Sequence, residues 1–228
     1  MIKSYSLLVL FTTVACNCLA QLPEASEIKK HKIKSLTANY KYSGEPDSIV
    51  TTYYYNENGD DTAYYDNGTR TYYKVIGYNR KLQPLTVTKF FPDGKEIDKT
   101  GFTYKPDGSF TSLNTDTQFG MKVTDIYDKK GRIISHTIPD GTVIKYVYNA
   151  KGQLTSSYSI PATGEKKVTT SYIYNAKGKM ISSSTKGASN SKSIYEYDAK
   201  GLLKKKISTS VSESGEKHMS TVEYEYGY

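Results

Sequence analysis

Tyrosine is the side chain present here in numbers and at a spacing that could do chemistry: 23 of 228 residues, with no tryptophan beside it. Pairs two residues apart recur as Tyr146/Tyr148, Tyr172/Tyr174, Tyr195/Tyr197 and Tyr224/Tyr226. In an extended strand, residues two apart share a face. A row of such amphipathic rings can stack on sugar rings or on a partner's side chains. It can equally pack the inner face of a curled sheet. These eight tyrosines form the candidate binding face.

Other chemistry finds less support. His31, His136 and His218 lack metal-ligand spacing and a neighbouring cluster of Cys or carboxylates. The sequence contains no G-x-S-x-G elbow, and its glycines are all needed for turns rather than for cradling a phosphate. Glycoside cleavage would need two acids facing each other across a cleft, and no pair stands out. The Asp-x-x-Gly turns carry Lys where a calcium-binding repeat would carry further Gly and Asp. The sequence therefore assigns no catalytic residue, metal ligand or cofactor, and the chain is read as a non-enzyme.

The elements that must hold the tyrosines are set by a recurring pentapeptide: Tyr127-Asp128-Lys129-Lys130-Gly131, Tyr148-Asn149-Ala150-Lys151-Gly152, Tyr174-Asn175-Ala176-Lys177-Gly178 and Tyr197-Asp198-Ala199-Lys200-Gly201. Successive copies start 21, 26 and 23 residues apart. That is the period of a repeat built from one supersecondary unit. Asn or Asp opens a type I turn and Gly closes it at positive φ, which joins two antiparallel strands. Looser versions are Tyr55-Asn56-Glu57-Asn58-Gly59, Tyr65-Asp66-Asn67-Gly68, Phe91-Pro92-Asp93-Gly94 and Tyr104-Lys105-Pro106-Asp107-Gly108. Aliphatics follow the turns at Ile133, Leu154, Met180 and Leu203. Opposite the tyrosines they would form aromatic–aliphatic cross-strand pairs worth about 0.2–1 kcal/mol each. A second set of glycines falls between the first, so a turn comes every 9 to 14 residues from Gly131 to Gly215. The expected fold is all-β: tandem antiparallel hairpins in one continuous curved sheet or partial barrel.

Residues 1–20 read as a signal peptide. Lys3 is the basic start, Leu7 to Val14 the apolar stretch, and cleavage falls before Gln21. The alternative is a lipoprotein anchored at Cys16 of Thr13-Val14-Ala15-Cys16. Both cysteines, Cys16 and Cys18, lie in this segment, so no disulfide is expected in the exported chain. Residues 21–34 read as a polar lead-in and 35–228 as a single domain, with divergent repeats over 35–122 and regular ones over 123–228. An edge strand is expected at the C-terminus. The 31 basic against 23 acidic residues are scattered along the strands. That pattern fits a solvated face that discourages edge pairing and argues against nucleic acid as partner. No second apolar segment is long enough for a transmembrane helix.

The run from Tyr127 to Tyr226 resembles the RHS/YD-repeat family, and Tyr127-Asp128-Lys129-Lys130-Gly131-Arg132-Ile133 carries its pattern best. The first half is similar to MORN-like antitoxin-type repeats through Tyr64-Tyr65-Asp66-Asn67-Gly68 and Phe90-Phe91-Pro92-Asp93-Gly94-Lys95. Both resemblances imply hairpins in a single sheet, and only that sheet-building role is carried over. The expectation is an exported protein (periplasmic, surface or secreted) that binds a protein or glycan without catalysis. The alternative is a structural or immunity-type scaffold that works through its sheet surface or self-associates through an edge strand.

Overall fold

The computed structural model describes residues 25–228, apart from residues 44, 46, 47, 82, 165–167, 188, 189 and 213. The expected signal peptide, the alternative lipidation site Cys16 and the cleavage site expected before Gln21 lie outside the described residues. Among the described residues one helix, α1 (Ala25–His31), precedes sixteen strands. The first eight are β1 (Ser35–Tyr42), β2 (Ile49–Tyr55), β3 (Asp61–Asp66), β4 (Thr69–Tyr78), β5 (Pro84–Phe90), β6 (Glu96–Tyr104), β7 (Phe110–Asp116) and β8 (Lys122–Tyr127). The second eight are β9 (Ile133–Thr137), β10 (Val143–Tyr148), β11 (Leu154–Ile160), β12 (Val168–Tyr174), β13 (Met180–Lys186), β14 (Asn190–Tyr197), β15 (Leu203–Val211) and β16 (Lys217–Gly227).

Each strand pairs antiparallel with its chain neighbours, and β1 pairs with β16 to close the barrel. The seam runs from Ser35 opposite Gly227 to Tyr42 opposite Ser220. The expected edge strand at the C-terminus is therefore not present. β16 is paired on one side with β15 and on the other with β1, so the edge through which two copies could associate is consumed by closure.

The turns follow the pentapeptide chemistry. Asp128 Oδ1 accepts the backbone N–H groups of Lys130 and Arg132, at 2.9 and 3.0 Å. The Asp128 carbonyl accepts the N–H of Gly131, whose φ of 76° only glycine adopts without penalty. The ladder shifts register between Ile126 and Tyr127, the signature of a type I turn followed by a bulge. The same shift falls at Val147/Tyr148, Ile173/Tyr174 and Glu196/Tyr197. Repeated bulges add local twist, and twist is what bends a sheet into a barrel. Asp66-Asn67-Gly68-Thr69 departs from the expected pattern. Asn67 and Gly68 both have positive φ, at 45° and 78°, so β3 and β4 are joined by a two-residue I′ turn rather than a type I turn with a bulge.

The lead-in is more ordered than its polar composition suggests. α1 ends in a Schellman motif: the Ile33 N–H donates to the Ile28 carbonyl and the Lys32 N–H to the Lys29 carbonyl. Lys32 takes the left-handed position at φ 52°. Ile28 and Ile33 are buried against Leu202, with Tyr55 and Tyr226 packed around them. The helix thus covers the end of the barrel where the pentapeptide turns sit.

Candidate functional site

The barrel fixes which way each tyrosine points. Leu36 and Ala38 are fully enclosed and stand opposite Tyr226 and Tyr224 across the seam, so that face of β16 is the lumen. Tyr146, Tyr172 and Tyr195 lie on the same face of their strands and are buried; Tyr195 is only 4% exposed. Small residues stand beside the large rings. Ser157 is opposite Tyr146 and Ser183 is opposite Tyr172. The Tyr172 hydroxyl shares a hydrogen bond with Ser157 Oγ at 3.2 Å, and that of Tyr195 with Ser183 Oγ at 2.9 Å. Tyr172, Met180, Tyr195 and Leu203 form a core, with Leu154, Tyr174, Tyr197 and Tyr224 packed against it.

The second tyrosine of each pair has a different task. Tyr148 is opposite Leu154, Tyr174 opposite Met180 and Tyr197 opposite Leu203, the aromatic–aliphatic pairing expected from the sequence. Each hydroxyl also reaches back one hairpin. Tyr148 donates to the Ile133 carbonyl, Tyr174 to Leu154, Tyr197 to Met180 and Tyr226 to Leu203, all at 2.8–2.9 Å. These carbonyls lie where neighbouring hairpins part. The β11–β12 ladder, for example, begins only at Ser156, leaving the Leu154 carbonyl without a strand partner on that side. The phenol supplies the missing donor. Tyr104 does the same for the Pro84 carbonyl. Burial pushes the Tyr174 and Tyr197 hydroxyls up to about 12, from an ordinary 10, and the neighbouring phenols Tyr172 and Tyr195 add to the rise.

Sequence reasoning missed one member of this ring. Tyr78-Asn79 makes the same kind of turn: Asn79 Oδ1 accepts the N–H groups of Lys81 and Gln83, although Leu82 stands where glycine is expected. The signal was the Tyr-Asn dipeptide itself. Every even-numbered strand therefore ends in a turn tyrosine or, in β16, in the equivalent Tyr226: Tyr55, Tyr78, Tyr104, Tyr127, Tyr148, Tyr174, Tyr197 and Tyr226.

In the first half the lumen is polar. Lys74 and Lys89 are directly opposed; Lys74 binds Asp61 at 2.6 Å, and Lys89 lies 3.9 Å from Asp98. The Tyr72 ring takes the Lys89 ammonium over its face at 4.0 Å. Burial lowers the Lys89 pKa and raises that of the Tyr72 hydroxyl. Further round the wall, Asp125 bridges the Ser112 hydroxyl, at 3.2 Å, and His136 Nδ1, at 2.6 Å. The order is wrong for nucleophile activation, which needs the imidazole between hydroxyl and carboxylate. Here Ser112 and His136 sit two strands apart with the acid between them. His218 and His31 lie beside Glu216 and Glu27 at 3.6 and 3.4 Å. Among the described residues, no three or more His, Cys, Asp or Glu side chains converge as metal ligands.

Residues 127–165 match the family model described as RHS Repeat. That stretch of the chain is similar to the RHS repeat. The matched stretch runs from the end of β8 past β11, across two of the turns that carry the pentapeptide. No curated protein matches the sequence. Among solved structures, a porin-like protein from Bacteroides uniformis ATCC 8492 aligns at 13% identity and TM-score 0.42, over 86% of this chain and 96% of that one. TcdB2-TccC3 without its hypervariable C-terminal region aligns at 13% identity and TM-score 0.23, over 80% of this chain. The Photorhabdus luminescens Tc holotoxin pore aligns at 14% identity and TM-score 0.18, over 75%. This chain spans 14% of the length of each of those two toxin-complex chains.

Proposed function

We propose that this barrel, part of which is similar to the RHS repeat, is an exported, non-catalytic module of the bacterial envelope or cell surface that binds a protein or glycan with its outer wall. The observation that carries the reading is where the tyrosines spend their polar groups. The lumenal rings are sealed into a core, and their hydroxyls hold neighbouring hairpins together, as from Tyr174 to the Leu154 carbonyl. A ligand would have to displace those bonds to reach them. The outer wall carries side chains that meet solvent: Tyr54, Val75, Ile173 and Ile194 are exposed, interleaved with charged residues such as Lys192, Glu196, Lys205 and Glu223.

That interleaving also argues against a lipid-facing wall. Lys205 and Glu223 are opposed in register and 3.3 Å apart, and a lysine on the outside of a membrane barrel costs about 2–4 kcal/mol near the bilayer midplane, a carboxylate less. The same geometry weakens the scaffold alternative in its edge-pairing form, since closure pairs both ends of the sheet. The form acting through the sheet surface is the second reading. To test the proposal, the full chain is expressed with its own leader, the cells are fractionated, and the purified barrel is sedimented with envelope fragments. Export together with cosedimentation is expected. A barrel retained in the cytosol, or one that stays in the supernatant at every envelope concentration, rejects it.

A further inference from the structure

One row of side chains crosses four strands on the outside of the barrel. Tyr54 of β2 stands opposite Ala63 of β3, Ala63 opposite Tyr73 of β4, and Tyr73 opposite Phe90 of β5. The row faces outward because its neighbours face in. Tyr53 is opposite the enclosed Leu36, and Lys74 binds lumenal Asp61. Tyr54 is 44% exposed. The rings are already held side by side: Tyr73 stacks on Phe90 at 5.3 Å with planes 21° apart, and Tyr65 meets Tyr54 edge-on at 5.2 Å. The small Ala63 side chain between Tyr54 and Tyr73 is itself covered, and the two tyrosines lie two interstrand spacings apart, about 9.5 Å. The hydroxyls of Tyr54, Tyr65 and Tyr73 hold no hydrogen bond among the described residues, in contrast with the anchored hydroxyls of the lumen.

Charge gives the row a sign. The exposed Arg70 places its guanidinium over Tyr73, 4.6 Å from the ring centre. The acids of β3 turn away: Asp61 is held by Lys74, and Asp66 accepts hydrogen bonds from Thr51 and Tyr64. Glu96 closes the far end, opposite Phe90. Between Tyr54 and Phe90 the outer surface therefore presents aromatic faces, phenolic hydroxyls and a cation, with no carboxylate among the described residues. Flat rings stack on the apolar faces of sugars, their hydroxyls exchange hydrogen bonds with sugar hydroxyls, and guanidinium pairs with carboxylate.

We propose that the Tyr54–Ala63–Tyr73–Phe90 row, with Arg70 and Tyr65, is a binding platform for an acidic polysaccharide such as a uronic-acid polymer. The proposal rests on the envelope-binding reading and names its ligand class. The experiment is affinity electrophoresis of the full chain through gels containing polygalacturonate, alginate or hyaluronate, with dextran as the neutral comparison. At least one acidic polymer should retard the barrel, dextran should not, and added salt should weaken the retardation. Tyr73→Ala should lower affinity about tenfold. Arg70→Gln and Tyr54→Ala, whose side chains are exposed, should weaken binding with melting curves unchanged. Retardation by none of the three acidic polymers, or retardation of the variants equal to the parent's, overturns the proposal. Envelope sedimentation of the unchanged chain is measured alongside. If it persists while every acidic polymer fails, this platform is wrong and the wider reading stands; if it is absent, the wider reading falls by itself.

Discussion

Tyr148, Tyr174 and Tyr197 each do two things at one position: the ring covers the aliphatic residue across the bulge, and the hydroxyl fills a gap in the next ladder. The two can be separated by mutation. Tyr174→Phe keeps the ring on Met180 and removes the donor to the Leu154 carbonyl, leaving a half-buried acceptor without its partner. We expect a loss of about 1–2 kcal/mol in denaturant unfolding, whereas Tyr174→Ala also loses the ring and costs about 3–5 kcal/mol. A Tyr174→Phe variant as stable as the parent would show that the hydroxyl contributes nothing; equal losses for the two variants would show that the ring contributes nothing. The same phenols predict a pH effect. A Tyr hydroxyl titrates near 10 in the unfolded chain and near 12 at Tyr174 and Tyr197 in the folded barrel. The folded state then holds more protons between those values, so stability is fully present below pH 10 and falls as pH rises from 10 towards 12. Unfolding monitored by circular dichroism should track the appearance of buried tyrosinate; a barrel equally stable at pH 9 and at pH 12 would contradict this. The cross-strand partners of Tyr127, Tyr148, Tyr174 and Tyr197 were legible in the sequence, because a bulged turn of known length fixes them. The hydroxyl's acceptor was not, because it lies about one repeat earlier and depends on where two hairpins part.

At the scale of the element, turns and helix differ in how openly the sequence declares them. A turn needs an Asx side chain and a positive φ within five residues, so a short motif states the whole requirement. Gly152 sits at φ 82°, where a Cβ would meet Arg132 Nη1 at 3.5 Å, an ordinary contact, so Gly152→Ala should cost about 1 kcal/mol from backbone strain alone. α1 gives a sparser signal. Two isoleucines, Ile28 and Ile33, are spaced five apart among lysines and one histidine, which does not establish a helical stripe. They are buried because the end of the barrel offers Leu202, Tyr55 and Tyr226 to cover, and that surface exists only after closure. Two substitutions of opposite sign test the capping role. Ile28→Ala should destabilise by about 2–4 kcal/mol through the cavity it leaves. Lys32→Gly should stabilise slightly, by about 0.5 kcal/mol, because glycine takes the left-handed C-terminal position without a Cβ clash. If thermal melts leave Ile28→Ala unchanged, the helix lies on the barrel without supporting it.

Closure is a property of the whole molecule, and it could not be read locally. An open curved sheet and a closed barrel share the same hairpins, bulges and inward tyrosines; they differ in one pairing, between Ser35–Tyr42 and the last strand, whose partners lie almost the full chain apart. Two features of that seam explain why the sheet closes. Leu36 and Ala38 have no exposed surface, which requires β16 on one side and β2 on the other. Left open, the sheet would present two long rows of unpaired N–H and C=O groups on β1 and β16, a template for pairing with another copy. Removing residues 216–228 should therefore convert a self-contained barrel into one with two bare edges, on β1 and β15, and with Leu36 uncovered. The intact chain should elute as a monomer in size-exclusion chromatography with light scattering, and the shortened one should form dimers or larger assemblies as its concentration rises. Adding the excised strand as a separate peptide should reverse the assembly by occupying both edges. A shortened chain that stays monomeric and keeps its melting temperature would show that the seam does not hold the barrel closed. Its closure would then have to come from curvature set by the bulges at Tyr127, Tyr148, Tyr174 and Tyr197.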